Sequence, residues 1–393
     1  MILDLSRFLA THTGELVQLR RHLHAHPELG RQERQSTALV ARRLEALGLR
    51  PRLLPIGTGL FCDVGAGSAG GPVVALRADL DALPLQDEKD VPYRSTVPGA
   101  CHACGHDAHT TMLLGAGLAL AEQAERLPGR VRLVFQPAEE KIPGGALDAI
   151  QAGVLDDVSV IYALHCDPKL DVGRVGVRVG AITAASDSLE VHLAGRGGHT
   201  ARPYETSDLV YIISRVVTDL PAALSRLVDP RVGLTLTFGA IQSGTVANAI
   251  PTTAVAKGTL RVLDRTVWGG AQKLVERVLQ GTVAPFEVTP DVRYERGSPP
   301  VVNEEVATLV MANAARATLG DTAIHQAAQS LGGEDFSWYL EDVPGSMARL
   351  GVRIPGTNLE LHAGSFDIDE RAIPVGVRVL TQTAVDALEY YGR

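Results

Sequence analysis

The stretch Val73-Val-Ala-Leu-Arg-Ala-Asp-Leu-Asp-Ala-Leu-Pro84 decides how the chain reads. Its apolar opening is too short for a helix and reads as a buried strand that runs out into acidic residues. Just before it, Gly65-Ala66-Gly67-Ser68-Ala69-Gly70 matches the GxGxxG dinucleotide fingerprint letter for letter. That fingerprint works only where a helix opens at once, because the helix N-terminal amides hold the pyrophosphate. Here Gly71-Pro72 and the β-like run follow, so the glycines predict a flexible connection between strands and not a dehydrogenase. Downstream, residues 100–109 form a Gly/Cys/His-rich turn opening a helix, with Leu113, Leu114, Gly117, Leu118 and Ala121 on one face. Residues 131–135 and 160–164 are further apolar runs of strand length. Upstream, helices are expected near residues 16–23 and 35–47, the second closed by Gly48. Strands alternating with helices imply an α/β layer fold.

From about residue 187 the pattern changes. Leu189-Glu-Val-His-Leu alternates as a strand, and a helix is expected over 207–227. Strands follow at 234–241 and 254–262, then a helix at 266–279 and a strand at 287–294. The order βαββαβ is the ferredoxin-like split βαβ pattern. The expected organisation is an α/β domain in two parts, 1–186 and 298–393, interrupted by an α+β domain over 187–297. No internal repeat or low-complexity tract interrupts it.

The 393 residues give ample core for two or three domains, and 45% hydrophobic residues exclude disorder as the main state. Net charge is −8, and no cluster of Lys and Arg offers the basic face that a nucleic-acid partner needs. The best apolar stretch, 112–121, is too short to span a bilayer, and Met-Ile-Leu-Asp-Leu-Ser-Arg-Phe lacks the features of an export signal. Four cysteines in so long a chain are no disulfide framework, so a reducing cytoplasm is the expected home.

Candidate metal ligands gather where strands are expected to end. Cys104-Gly105-His106-Asp107-Ala108-His109 lies in the turn before a helix, and Gln136-Pro137-Ala138-Glu139-Glu140 follows one strand. His165 ends another strand, and His362 follows the strand-like 347–352 and its loop. Active sites of open α/β sheets collect at the carboxyl ends of strands, and thiolate, imidazole and carboxylate form a transition-metal ligand set. Singly, each has a plainer explanation: half a zinc ribbon or a redox pair for Cys101-His-Ala-Cys104, a solvated acidic pair for Glu139-Glu140, a hydrogen-bonded histidine for His165 or His362. Taken together, the four features favour a metal site.

These stretches, with Gly195-Arg-Gly-Gly-His199, Asn248-Ala-Ile-Pro251, Gly258-Thr-Leu-Arg261, Gly333-Glu-Asp-Phe336 and Leu361-His362 in order, resemble the M20 peptidase family. The resemblance is to its amidohydrolase branch of aminoacylases, hippurate hydrolases and auxin-conjugate hydrolases. It implies a zinc-exopeptidase-like α/β/α catalytic domain with an inserted ferredoxin-like lid and dimerisation domain. It also implies two divalent cations, zinc or manganese, bridged by Cys104, with His106 and His165 completing one site and Glu140 and His362 the other. A bridging thiolate agrees with physics, since two cations and a helix N-terminus hold a cysteine deprotonated.

By the same resemblance Glu139 is the general base, and adjacent residues of an extended segment would let Glu140 ligate while Glu139 faces water. Asp79 and Asp81 resemble residues that orient ligands, or else form a polar turn after a strand. His199 resembles an oxyanion-stabilising histidine, often the partner subunit's. Asn248 and Arg261 resemble substrate contacts, Arg261 suiting a carboxylate or else being a strand-surface charge. Lys141-Ile-Pro-Gly-Gly145, Cys166-Asp-Pro168 and Ala363-Gly-Ser-Phe366 depart from the family pattern beside the site. The expected activity is hydrolysis of an N-acyl amino acid by a cytoplasmic homodimer. A dipeptidase on the same scaffold and a non-catalytic metal-binding interaction protein are the alternatives.

Overall fold

The computed structural model describes residues 3–65 and 71–392, so Ala66 to Gly70 of the glycine run lie outside the described residues. After that run comes a strand, Val73–Asp79, and not a helix. Contacts divide the chain into two compact units, one of Met1–Ile182, Val302–Ala328 and Asp335–Arg393, the other of Thr183–Val301 and Gln329–Glu334. The second is wider than the expected 187–297, because the 329–334 segment pairs with its entry strand: Ala184 N–H donates to the carbonyls of Ser330 and Gly332.

In the first unit an eight-stranded mixed sheet holds a parallel centre, in the order Arg130–Gln136, Val73–Asp79, Val158–Asp171 and Gly345–Arg353. Every residue of Val73–Asp79 is buried, as expected for a strand covered on both faces. The strand through His165 runs on to Asp171, so His165 lies inside it and not at its end. The apolar run stops at Leu164, yet pairing continues, His165 lying opposite Arg349 and Cys166 opposite Leu350. The register that sets Arg77 beside Ala163 makes His165 level with Asp79, the last residue of its own strand.

The helix His106–Ala121 was expected to bury one face. It is buried on nearly all sides, with Leu118 and Ala121 among its less buried residues. The cause is its position, packed by the helices Ser6–Ala25 and Ala372–Tyr391 as well as by the sheet. Glycines make this fit possible: a Cβ at Gly117 would stand 2.4 Å from Leu133 Cδ1 and one at Gly115 2.7 Å from Val377 Cγ2.

The second unit is a four-stranded antiparallel sheet in the order Thr235–Ser243, Thr253–Val262, Ala185–Ala194, Asp291–Glu295. With the helices Leu209–Leu227 and Arg265–Val283 in between, this is the ferredoxin-like βαββαβ order. Ala185–Ala194 alternates buried and half-buried residues, and both helices lay an apolar stripe, such as Ile212, Val216, Leu220 and Trp268, Val275, Leu279, into the core. Asp208 and Asp264 cap the two helices by accepting N–H bonds from Tyr211 and Val267.

Candidate metal centre and active site

Cys104 and His106 flank Gly105, whose left-handed φ of 91° turns the chain into the helix. A Cβ there would stand 2.9 Å from Cys166 Sγ, so both backbone shape and space require glycine. The helix start is held from beneath by Asp107, whose carboxylate accepts from Arg20 Nε at 2.7 Å and pairs with His24 Nδ1 at 2.7 Å. Burial would raise the Asp107 pKa, but Arg20 and His24 hold it well below the usual carboxylate range.

Glu139 and Glu140 sit on a turn, not in the extended segment that the sequence suggested, because Ala138 is left-handed at φ 54°. Their direction is set by Asp81, whose Oδ1 and Oδ2 accept the Glu139 and Glu140 N–H groups, each at 3.0 Å. The Asp81 carbonyl also takes His106 Nδ1 at 2.9 Å. One residue thus orients a histidine and two carboxylates. Behind the turn, Gln136 Nε2 donates to Asp335, and Arg77 bonds to Gln136, Asp79 and Asp335 together. Asp335 also accepts the Ala146 N–H at 3.0 Å.

Tautomers follow from the partners. The Cys166 N–H donates to His109 Nε2 at 2.8 Å, so His109 carries its proton on Nδ1 and gives it to Asp79 Oδ1 at 2.7 Å. His165 Nδ1 donates to the Cys166 carbonyl at 2.8 Å, leaving Nε2 as a lone pair 3.5 Å from Cys104 Sγ. Burial, with Arg349 and His109 nearby, holds His165 well below its ordinary pKa and therefore neutral, as a ligand must be. Burial also opposes charge on His106, but Asp79 and the Cys104 sulfur overcome it and push that pKa well up. His362 is raised to about 10 by contact with the Cys104 sulfur and then Glu140.

The ligand atoms of Cys104, His106 and Glu140 lie within 4.8 Å of one another. His362 Nε2 stands 3.2 Å from Glu140 Oε1, and its N–H is tied to the Ala103 carbonyl at 2.8 Å. All five expected ligands are therefore brought together. Of their buried atoms, His106 Nε2 has no hydrogen-bond partner among the described residues, and Glu140 Oε1 meets only the His362 ring. A buried imidazole nitrogen left unpartnered beside a sulfur is costly unless something binds it, and sulfur, nitrogen and carboxylate donors fit divalent transition metals. Glu139 Oε2 is 3.9 Å from His106 Nε2, at the edge of the cluster.

Two neighbouring groups fail the same test. Asp79, His106 and His109 converge, but Arg77 and His109 already take the carboxylate and Cys166 takes His109 Nε2. His24, Asp87 and Cys101 converge around the Lys89 ammonium, 2.9 Å from Asp87 Oδ1 and 3.5 Å from Cys101 Sγ.

In the second unit, Gly198–His199 pairs with Ala249–Ile250, and the Thr200 N–H reaches the Asn248 carbonyl at 3.3 Å. His199 and Asn248 are thus neighbours. His199 Nδ1 accepts the Ala201 N–H at 3.0 Å, which puts the neutral ring's proton on the exposed Nε2, beside a cavity of about 340 Å³. Arg261 is not near them. It lies at the other end of Thr253–Val262, opposite Ser186 and Thr235, and donates to the Leu331 carbonyl.

Sequence reasoning missed His109, Gln136 and Asp335. His109 was visible three positions after His106, on the same helical face, within the motif itself. Asp335 lies in the quoted Gly333-Glu-Asp-Phe336 stretch, but nothing local gives it a role, since its partners Arg77 and Gln136 are 258 and 199 positions away.

The profile of peptidase family M20/M25/M40 matches residues 75–386. A Rhodococcus jostii protein with the provisional name glutamate–cysteine ligase 2-3 is 50% identical over 367 residues, 93% of this chain, which spans only 46% of that relative's length. The N-acetyl-L-cysteine deacetylase of Bacillus subtilis is 38% identical over 365 residues, 93% of this chain and 86% of its own. Among solved structures, the Bacillus subtilis YXEP protein, described as a dinuclear metal binding peptidase from the M20 family, superposes with a TM-score of 0.85 at 33% identity, covering 97% of this chain and 99% of its own. With a matching profile over most of the chain and a full-length structural relative, this chain belongs to peptidase family M20/M25/M40.

Proposed function

We propose that the protein is a two-cation amidohydrolase that cleaves N-acyl amino acids into a carboxylic acid and a free amino acid. The observation that carries this reading is the convergence of the Cys104, His106 and Glu140 ligand atoms within 4.8 Å, with His106 Nε2 buried and unpartnered and a second carboxylate on the same turn. Cys104, His106, Glu140, His165 and His362 would hold the cations, zinc by the softness of the sulfur and nitrogen donors, with manganese admitted by the carboxylate. When bound, the cations lower the pKa of water and polarise an amide carbonyl. Glu139 accepts the proton of the attacking water and delivers it to the leaving amine. The Asp81 clamp on its N–H keeps that carboxylate aimed. Four buried free cysteines suit a reducing compartment, the cytoplasm. Among the described residues no helix is long and apolar enough to cross a membrane.

A panel of N-acetyl and N-benzoyl amino acids with a dipeptide arm tests the reaction. Amine release from the N-acyl compounds that a chelator abolishes and added zinc or manganese restores is the expected result. Hydrolysis confined to dipeptides would instead establish the peptidase reading that the YXEP description suggests. Cation-loaded protein inert on every compound would leave only a binding role.

His199 would donate from Nε2 to the developing oxyanion, Asn248 would orient the substrate, and Arg261 would hold its carboxylate. The eight residue steps from Thr253 to Arg261 span about 26 Å of extended strand, more than one small substrate bridges. A substrate that met both ends would draw His199 and Asn248 from one protomer and Arg261 from another, which calls for a homodimer. Mixing His199→Ala with Glu139→Gln protomers should then restore up to about a quarter of wild-type activity, from the intact site of each mixed dimer. Verified subunit exchange without recovery would place His199 in its own protomer's site.

A further inference from the structure

Glu33 caps no helix with its side chain and is fully buried, an unusual place for a carboxylate outside the cluster just described. Its Oε1 accepts two backbone N–H groups, that of Arg31 at 2.9 Å and that of Ala138 at 2.8 Å. Both donors belong to residues in the left-handed region, Arg31 at φ 69° and Ala138 at φ 54°. Neither is a glycine, so each conformation persists only where surroundings impose it. Ala138 immediately precedes Glu139, and its carbonyl accepts the Gly145 N–H at 3.0 Å, closing the turn that presents Glu139 and Glu140. The segment before Glu33 packs directly on that turn: a Cβ at Gly30 would stand 3.3 Å from Ala138 Cα and 2.8 Å from Lys141 Cγ.

We propose that Glu33 is a positioning residue for amide hydrolysis, holding Ala138 in the left-handed turn that aims Glu139 at the reacting water and Glu140 at the cations. This rests on the function proposed above and adds a group 106 positions from the base it serves. Asp81 fixes the turn from one side through the Glu139 and Glu140 N–H groups, and Glu33 fixes it from the other through Ala138. Burial, and Asp81 nearby, push the Glu33 pKa up, and its Oε2 has no hydrogen-bond partner among the described residues. What reaches the turn from Glu33 is one acceptor oxygen, Oε1, at the right reach.

Reach and charge are separated by two variants. Glu33→Asp keeps the charge but withdraws the acceptor by one methylene; Glu33→Gln keeps the acceptor and its reach without the charge. For the best N-acyl substrate, Glu33→Asp should lower kcat about 10- to 100-fold with KM within about threefold, because small misplacement of a base acts on the chemical step. Its zinc should also escape to a chelator at least about three times faster than from wild type, since Glu140 shares the turn. Glu33→Gln should stay within about threefold of wild type on both measures. Wild-type kcat and zinc retention in folded Glu33→Asp would overturn the proposal, as would a Glu33→Gln variant impaired as badly as Glu33→Asp. A lowered melting temperature in Glu33→Asp with unchanged kcat per zinc-loaded site would also overturn it, by showing a role in folding alone. Should wild type hydrolyse nothing on the panel, the proposed function falls, and zinc retention by the two variants still decides what Glu33 does.

Discussion

Glu139→Gln should keep the fold and the cation content of the wild type and lose about 10²- to 10⁴-fold in kcat, the range associated with removal of a positioned general base. The expectation rests on a division of labour within one turn. Glu140 contributes to the ligand set, its carboxylate 3.2 Å from His362 Nε2, whereas Glu139 approaches only the edge of it, 3.9 Å from His106 Nε2. Gln is nearly isosteric with Glu, and Asp81 binds the backbone N–H of residue 139 and not its side chain, so the substitution disturbs neither the turn nor a ligand. What it removes is the capacity to take a proton from water and return it to the leaving nitrogen. KM should change little, because that transfer occurs in the transition state. Steady-state kinetics with metal analysis of the same sample checks both halves. A kcat within about threefold of wild type would exclude Glu139 as the base, whereas loss of cations would make it a ligand. Glu140→Gln provides the contrast and should lose cations.

The candidate ligands were legible because their chemistry is local. A cysteine and a histidine around one glycine, two adjacent glutamates after a strand, a histidine closing an apolar run and another after a strand announce themselves by residue type. The glycine run before residue 73 could be dismissed on the same local ground, since the residues after it are β-like, and Val73–Asp79 is a strand. Beyond Asp79 and Asp81, the support of the site was not legible. Asp335 and Glu33 act through partners 258 and 105 positions away, and an isolated acidic residue in a sequence looks the same whether it faces water or a buried N–H. The left-handed Ala138 left no trace either, for alanine carries none of the turn signals that glycine and asparagine do, and so the 137–140 stretch read as extended. Similarly, apolar runs report burial and not pairing, which is why the strand through His165 outlasts its hydrophobic part. Asn248 and Arg261 show a different limit: spacing along a chain gave no hint that Arg261 lies at the far end of Thr253–Val262 from Asn248, which precedes the separate strand Ala249–Ile250.

Replacing the sulfur itself should have the widest effect on the metal centre. Cys104 Sγ lies 3.5 Å from His165 Nε2 and within 4.8 Å of the ligand atoms of His106 and Glu140, and it is the first cause of the raised pKa of His362. It thus neighbours each of the other four proposed ligands, so under the proposed function a substitution there would touch both cations at once. Serine occupies nearly the same space, but its hydroxyl is neutral near pH 7 and is a poor ligand for a soft or borderline cation. Cys104→Ser should therefore fall from about two cations per protomer to fewer than one, with affinity weakened at least about 100-fold. Cys166→Ser is the control: Cys166 is fully buried against Gly105, burial pushes its pKa well up, and a protonated thiol there should be replaceable with both cations retained. Thermal unfolding gives an independent reading, because a ligand that binds only the native state raises its melting temperature. Chelation should lower the melting temperature of wild type and Cys166→Ser and leave Cys104→Ser unchanged, since the latter has little to lose. Two tightly held cations in Cys104→Ser, with the same response to chelator as wild type, would mean that the imidazoles and carboxylates suffice and that the sulfur bridges nothing.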